Sequence, residues 1–153
     1  MITLKAAHAK DLLDKESEYL ALAQLLLLNQ NPYWAAQVLI SGQKKITTYT
    51  ETVKDKITGE EVKVEKKGPV VRDNEKNLKL LADSWRMAQE IDKAIPVLEQ
   101  AAKLSKDGKS YVLLGNLYLA EDKLEKAVDS IKEGLKKGKI DKISQVHLTL
   151  GQA

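Results

Sequence analysis

The stretch Lys109-Ser-Tyr111-Val-Leu-Leu114-Gly115-Asn-Leu-Tyr118-Leu-Ala-Glu121-Asp122-Lys-Leu124-Glu125-Lys-Ala127-Val-Asp-Ser-Ile131-Lys-Glu-Gly134-Leu-Lys-Lys137 reads as two helices folded into a hairpin. Tyr111, Leu114 and Tyr118 fall on one face at helical spacing. Gly115 sits in mid-helix, where glycine costs about 1 kcal/mol relative to alanine. Close packing offsets that cost: with no Cβ at Gly115 and a methyl at Ala127, antiparallel helices can approach to roughly 8 Å, and Leu124 and Ile131 are expected to fill the seam. Asp122, with Glu125 three positions on, reads as an N-cap with a capping-box partner, so the first helix should end near Glu121 in a short turn.

This spacing, aromatic-x2-Leu-Gly-x2-Tyr and then Ala-x3-apolar-x2-small, resembles the tetratricopeptide repeat. It recurs. About 33 residues earlier stand Leu78, Leu81-Ala82, Trp85, Ala94, Leu98 and Ala101, and earlier still Tyr19, Leu22-Ala23, Leu26, Ala35, Leu39 and Gly42. About 36 residues later Leu150-Gly151 begins the pattern once more. The expected fold is therefore all-α, a solenoid of tetratricopeptide-type helical hairpins with about three repeats plus partial ends. The departures are Asp107-Gly108 and Gly138 where the family ends a repeat with proline, and Ile131 or Leu98 where it prefers Phe.

A chain of 153 residues with 43% apolar and 31% charged side chains is one soluble globular domain, residues 1–153. Aromatics make up only 5% and Phe is absent, which suits thin helix-on-helix layers. Net charge is +3, and every basic residue except Arg72 and Arg86 is Lys. The forked donor that reads guanine and clamps phosphate is nearly missing, which argues against nucleic acid. Cys is absent, so no disulfide or thiolate metal site is expected. The longest apolar run, Tyr19 to Leu28, is about half a membrane span. No basic-then-apolar leader opens the chain. Its end, in the first turns of a helix from Ser144, reads as that of a fragment excised from a longer array.

Along the chain, Leu4, Ala7, Leu12 and Leu13 fit the tail of a preceding repeat. A helix is expected from about Ser17 to Asn29, and Asn31-Pro32 then supplies an N-cap and a proline at the first helical position of a partner running to about Lys44. From Ala23 to Ala82 the interval is about 59 residues rather than about 34, so roughly 25 residues are inserted, over 46–70. Thr-rich Ile46 to Val53, alternating Val62-Lys-Val64 and the intervening Asp55-Lys-Ile-Thr58-Gly59 read as a β-hairpin polar on both faces. Asp73 is placed to cap the next helix, which should run to about Ala88; helices follow at about 91–106, 110–121, 123–137 and from Ser144.

His8 and His147 stand near opposite ends with no carboxylate at metal-ligand spacing, and no phosphate loop or nucleophile elbow occurs. The chain reads as non-catalytic, with no cofactor and no metal. What the family resemblance implies is a surface lined by the first helix of each hairpin. Those positions are Leu20, Gln24, Leu27 and Leu28; Lys76, Lys79, Asp83, Arg86 and Met87; and Lys109, Val112, Asn116 and Leu119. Lys76, Lys79 and Arg86 could hold an acidic group of a partner protein or peptide. Chaperone-binding members of the family grip a carboxylate with a Lys and an Asn four residues later, and no repeat here has both, since Leu20 precedes Gln24, Lys79 precedes Asp83 and Val112 precedes Asn116. The run Lys132, Lys136, Lys137, Lys139 and Lys142 reads as compensation of a helix dipole.

The resemblance implies a protein-binding scaffold, with oligomeric state open. A narrower likeness, carried by Tyr33-Trp-Ala-Ala-Gln-Val-Leu39, Asn77 to Ala88 and Gly151-Gln, is to the tetratricopeptide proteins encoded with TonB-type energy-transducing systems of Gram-negative bacteria. That implies a periplasmic accessory. The alternative is a regulatory or adaptor array cut from a larger enzyme or chaperone-linked protein, which would place it in the cytoplasm.

Overall fold

A computed structural model describes residues 4–9 and 11–138. The side chains of Leu4 and Ala7, the helix expected from Ser144, His147, Leu150-Gly151, Lys139 and Lys142 lie outside the described residues. The chain divides into two compact units between Asp73 and Asn74.

The first unit holds α1 (Leu4–Ala9), α2 (Glu16–Leu28), α3 (Pro32–Lys44), β1 (Ile46–Lys54) and β2 (Glu61–Pro69). Glu18 opens α2 by reaching back, its Oε2 accepting from the backbone N–H groups of Asp14 and Lys15 at 3.1 Å. Helices α2 and α3 pack through Tyr19, Leu22, Ala23 and Leu26 on one and Ala35, Val38 and Leu39 on the other, all buried. Leu13 is buried with them, whereas Leu12 is exposed. Gly42 lets Val71 in: a Cβ on it would lie 2.3 Å from Val71 Cγ2. Pro32 opens α3 as expected, but Asn31 caps nothing with its side chain, which donates instead to Asn29 O.

The β-hairpin is present, with β1 and β2 antiparallel in the register Ile46↔Pro69 to Lys54↔Glu61. Its loop is organised by Asp55, whose Oδ1 accepts from the N–H of Ile57 at 2.7 Å and of Thr58 at 3.1 Å, and Gly59 takes the left-handed conformation at φ 72°. Two expectations change. The hairpin ends at Pro69, and Val70 and Val71 beyond it are core residues, stitched to α3 by Val70 N–H to Lys45 O and Val71 N–H to Gly42 O. Nor are both faces polar, because the register puts Tyr49, Val53, Val62 and Val64 on the same side.

The second unit holds α4 (Glu75–Met87), α5 (Ile91–Leu104), α6 (Lys109–Ala120) and α7 (Leu124–Lys137). Asn74, not Asp73, caps α4: its side chain accepts from Asn77 N–H at 2.9 Å, while Asp73 accepts from Gln43 at 2.8 Å. The α4–α5 pair buries Leu78, Leu81, Ala82 and Trp85 against Ala94, Leu98 and Ala101. The α6–α7 pair buries Leu114, Leu117 and Tyr118 against Ala127 and Ile131. A Cβ on Gly115 would stand 2.5 Å from Ile131 Cγ1 and 3.1 Å from Ala127 O, so the close approach expected at this glycine is real. Leu124, expected in the seam, is 49% exposed.

The turn inside each hairpin is built alike. Gln30, Gln89 and Asp122 each adopt positive φ, at 57°, 63° and 55°. The following N–H groups of Asn31, Glu90 and Lys123 donate back to Leu26 O, Trp85 O and Tyr118 O at 2.8–2.9 Å. This is the Schellman closure of a helix with its left-handed position filled by a side-chain residue rather than glycine. Asp122 therefore ends α6 and does not cap α7, whose N-cap, Lys123, makes no side-chain cap bond.

Candidate partner-binding site

The first helices of the second unit, α4 and α6, line a recess of about 210 Å3 walled by Lys79 and Asp83 from α4 and Lys109, Ser110 and Leu113 from α6, with Leu98 of α5 alongside. Three of the residues singled out in the sequence, Lys79, Asp83 and Lys109, are thus brought together. Lys76, Arg86 and Met87 are exposed on the same helix α4, and Asn116 is exposed on α6. Val112 packs elsewhere, its Cγ2 lying 3.2 Å from where a Cβ on Gly134 would be. In the first unit Leu20 and Leu27 are half-buried on α2 and Gln24 is exposed. A separate apolar hollow there, about 330 Å3, is lined by His8, Leu22, Leu26, Trp34 and Val38 rather than by those three.

The charges around the recess are already engaged. Lys79 Nζ meets Glu75 Oε1 at 2.6 Å, one turn away on α4, and Arg86 donates to Asp83 Oδ1 from Nη2 at 3.1 Å and Nε at 3.3 Å. Lys79, and after it the Ser105 hydroxyl, hold the Glu75 carboxyl below its ordinary range. Asp107, at the entry to α6, is held low first by the Lys109 backbone N–H, which donates to its Oδ1 at 3.0 Å. Exposed pairs of this kind contribute about 0–1 kcal/mol, so an incoming acidic group can compete for Lys79 or Arg86 at little cost. The surface offers both signs of charge, not a purely basic patch.

Ser110 was not singled out by sequence. The residue lines the recess, and its Oγ is buried without a hydrogen-bond partner among the described residues. A buried hydroxyl without a partner costs about 1–3 kcal/mol. Only packing reveals this, since a serine in the first turn of a helix is ordinary.

Two lysines act as structural caps. Lys137 Nζ donates to Ala102 O at 2.8 Å, Lys103 O at 3.2 Å and Ser105 O at 2.7 Å, closing the end of α5. Lys45 Nζ does the same after α1, donating to Asp11 O and Leu13 O and pairing with Asp14 at 3.0 Å. The basic run at the end of α7 is therefore not only dipole compensation. The signal was in the repeat alignment, because Lys45 and Lys137 each stand three residues after the small residue of their repeat, Gly42 and Gly134. His8 is a packing histidine. Ser41 Oγ donates to Val38 O, so the His8 Nε2, 2.7 Å away, donates to Ser41, and its ring meets Tyr19 edge-on at 6.0 Å.

The structure is similar to the crystal structure of MamA, with a TM-score of 0.65 over 97% of this chain and 70% of that chain at 15% identity. The fold is of the tetratricopeptide type. No family model matches the sequence, and no curated protein matches it. At 15% identity the likeness to MamA speaks for the fold alone. No helix among the described residues is long and apolar enough to cross a membrane. None of their His, Asp or Glu side chains form a group of three able to hold a metal ion.

Proposed function

We propose that this chain is a non-catalytic protein-interaction scaffold, a solenoid of tetratricopeptide hairpins that takes a polypeptide segment against its first helices. The observation that carries this reading is the α4–α6 recess: Leu98 and Leu113 give it apolar walls, and Lys79, Asp83 and Lys109 give it charges of both signs. A peptide offers what such a surface accepts, namely apolar side chains to meet Leu98 and Leu113 and carboxylates to draw Lys79 and Arg86 from their own helix. The test is capture of a partner by wild-type chain compared with Lys79→Glu/Arg86→Glu. That variant should lose most of the capture, while Lys132→Glu/Lys136→Glu should retain it. Lys137 is unsuitable as that control because it closes α5. Equal loss from both charge reversals would mean non-specific attraction and would sink the assignment.

A periplasmic accessory role beside a TonB-type system is supported by the sequence resemblance alone. Fractionation of cells carrying the whole gene tests it: recovery of the protein with the cytoplasm would reject that placement and leave the scaffold reading standing.

A further inference from the structure

The two edges of the β-hairpin are chemically unlike. β2 carries Glu61, Lys63, Glu65, Lys66 and Lys67 and ends in Pro69, the composition that guards an exposed strand edge. β1, Ile-Thr-Thr-Tyr-Thr-Glu-Thr-Val-Lys, has only Glu51 and Lys54 as charges and no proline. Asp55 N–H donates to Glu60 O and Val70 N–H to Lys45 O, both at 2.8 Å, so the ladder closes at each end on odd-numbered residues of the first strand. By the two-residue alternation of antiparallel pairing, the even residues from Ile46 to Lys54 turn their N–H and C=O away from β2. Thr48, Thr50 and Thr52, which hold the middle of that outward row, are exposed.

We propose that two copies of this chain associate through β1, antiparallel and centred on Thr50, to form one four-stranded sheet. In that register every outward residue meets an outward residue, so the five even-numbered residues from Ile46 to Lys54 hydrogen-bond across the join. Thr50 faces the second copy's Thr50, Thr48 faces its Thr52, Tyr49 its Glu51 and Ile46 its Lys54. Threonine pairs of this kind favour cross-strand contact, and no like charges meet. The same operation on β2 would set Glu65 against Glu65 and Lys63 against Lys67, which selects β1 as the pairing edge. The side of the ribbon that carries Tyr49, Val53, Val62 and Val64, with the Glu51–Lys66 ion pair among them, faces the same way in both copies. A strand pairing of this length is a small interface, so the association is weak and concentration-dependent.

Sedimentation of the whole chain over a concentration series should show a reversible dimer. Thr48→Glu/Thr52→Glu opposes carboxylates at both flanks of the join, yet within each hairpin those positions face Lys67 and Lys63, so the hairpin itself is kept. Association should weaken by about tenfold. Because the chain has no cysteine, Thr50→Cys reports the centre directly: residues opposite each other here lie about 5.5 Å apart, within disulfide range. It should cross-link readily on mild oxidation, and Glu65→Cys should not. A wild type that stays monomeric throughout, a double-Glu variant that associates like wild type, or Glu65→Cys cross-linking as fast as Thr50→Cys would each overturn the proposal.

Discussion

Gly108→Ala should be the most damaging single methyl that can be added to the second unit. Gly108 has φ −88° and ψ 0°, a conformation open to alanine, so no backbone strain is involved. The obstacle is contact. A Cβ there would lie 1.9 Å from Gly134 O, 2.6 Å from Gly134 C and 2.9 Å from Gly134 Cα, against roughly 3.3 Å for a close carbon–oxygen approach. The shortfall of about 1.4 Å falls on backbone, so α6 and α7 must part at their Gly108–Gly134 crossing. Gly115→Ala makes the informative comparison. Its added Cβ meets chiefly the Ile131 side chain, at 2.5 Å, which can rotate, and it regains about 1 kcal/mol of helix propensity. Overpacking costs typically 1–3 kcal/mol, more where nothing can yield. The expected net losses are therefore about 3 kcal/mol or more at Gly108 and about 0–2 kcal/mol at Gly115. At roughly 2–4 °C per kcal/mol for a chain of this size, Gly108→Ala should lower the melting midpoint by about 6–12 °C. Far-ultraviolet circular dichroism melts, checked by urea titration, decide it. A Gly108→Ala midpoint equal to wild type, or above that of Gly115→Ala, would refute the close-approach reasoning.

Lys137→Met should cost about 1–3 kcal/mol by orphaning three carbonyls at the end of α5, whereas Lys136→Met should be near neutral; a thermal melt compares them. Gln89→Gly should stabilise by up to about 1 kcal/mol, because φ 63° is strained for a side-chain residue and free for glycine; an unchanged or lowered midpoint would contradict the turn assignment. Burial first, and then its hydrogen bond to Glu99, push Tyr118 up from 10.0 to about 12. The folded chain keeps a proton that the unfolded chain releases, so the contribution is whole below about pH 10 and is lost as pH rises through about 12. The stability gap between wild type and Tyr118→Phe should narrow over that interval, and a constant gap would contradict the assignment. Replacing residues 47–68 by a short Gly/Ser linker should leave cooperative unfolding intact, while extending the deletion through Val70 and Val71 should destabilise the first unit, as urea titration would show.

Helical hairpins, their pairing and the inserted β-hairpin were legible in the amino-acid sequence because they rest on local signals. Tyr111, Leu114 and Tyr118 mark a face by spacing alone, Gly115 and Ala127 mark a crossing by lacking side-chain bulk, and Asp55 with Gly59 mark a turn by backbone preference. Of the candidate site, the sequence supplied the helices and the residues Lys79, Asp83 and Lys109. Tertiary structure decided which partners such residues meet. Glu75 and Asp83 occupy Lys79 and Arg86, and Val112 turns toward Gly134. Asp122 has the composition of an N-cap, yet the chain must reverse there with a bond from Lys123 N–H to Tyr118 O, and that bond requires the left-handed conformation. Ser110 loses its partners through burial, and Lys137 finds its acceptors 32 to 35 residues away. Local preference follows from a residue and its near neighbours, whereas a buried hydroxyl, a carbonyl cap or a Gly108–Gly134 crossing depends on distances between segments that only the packed chain sets.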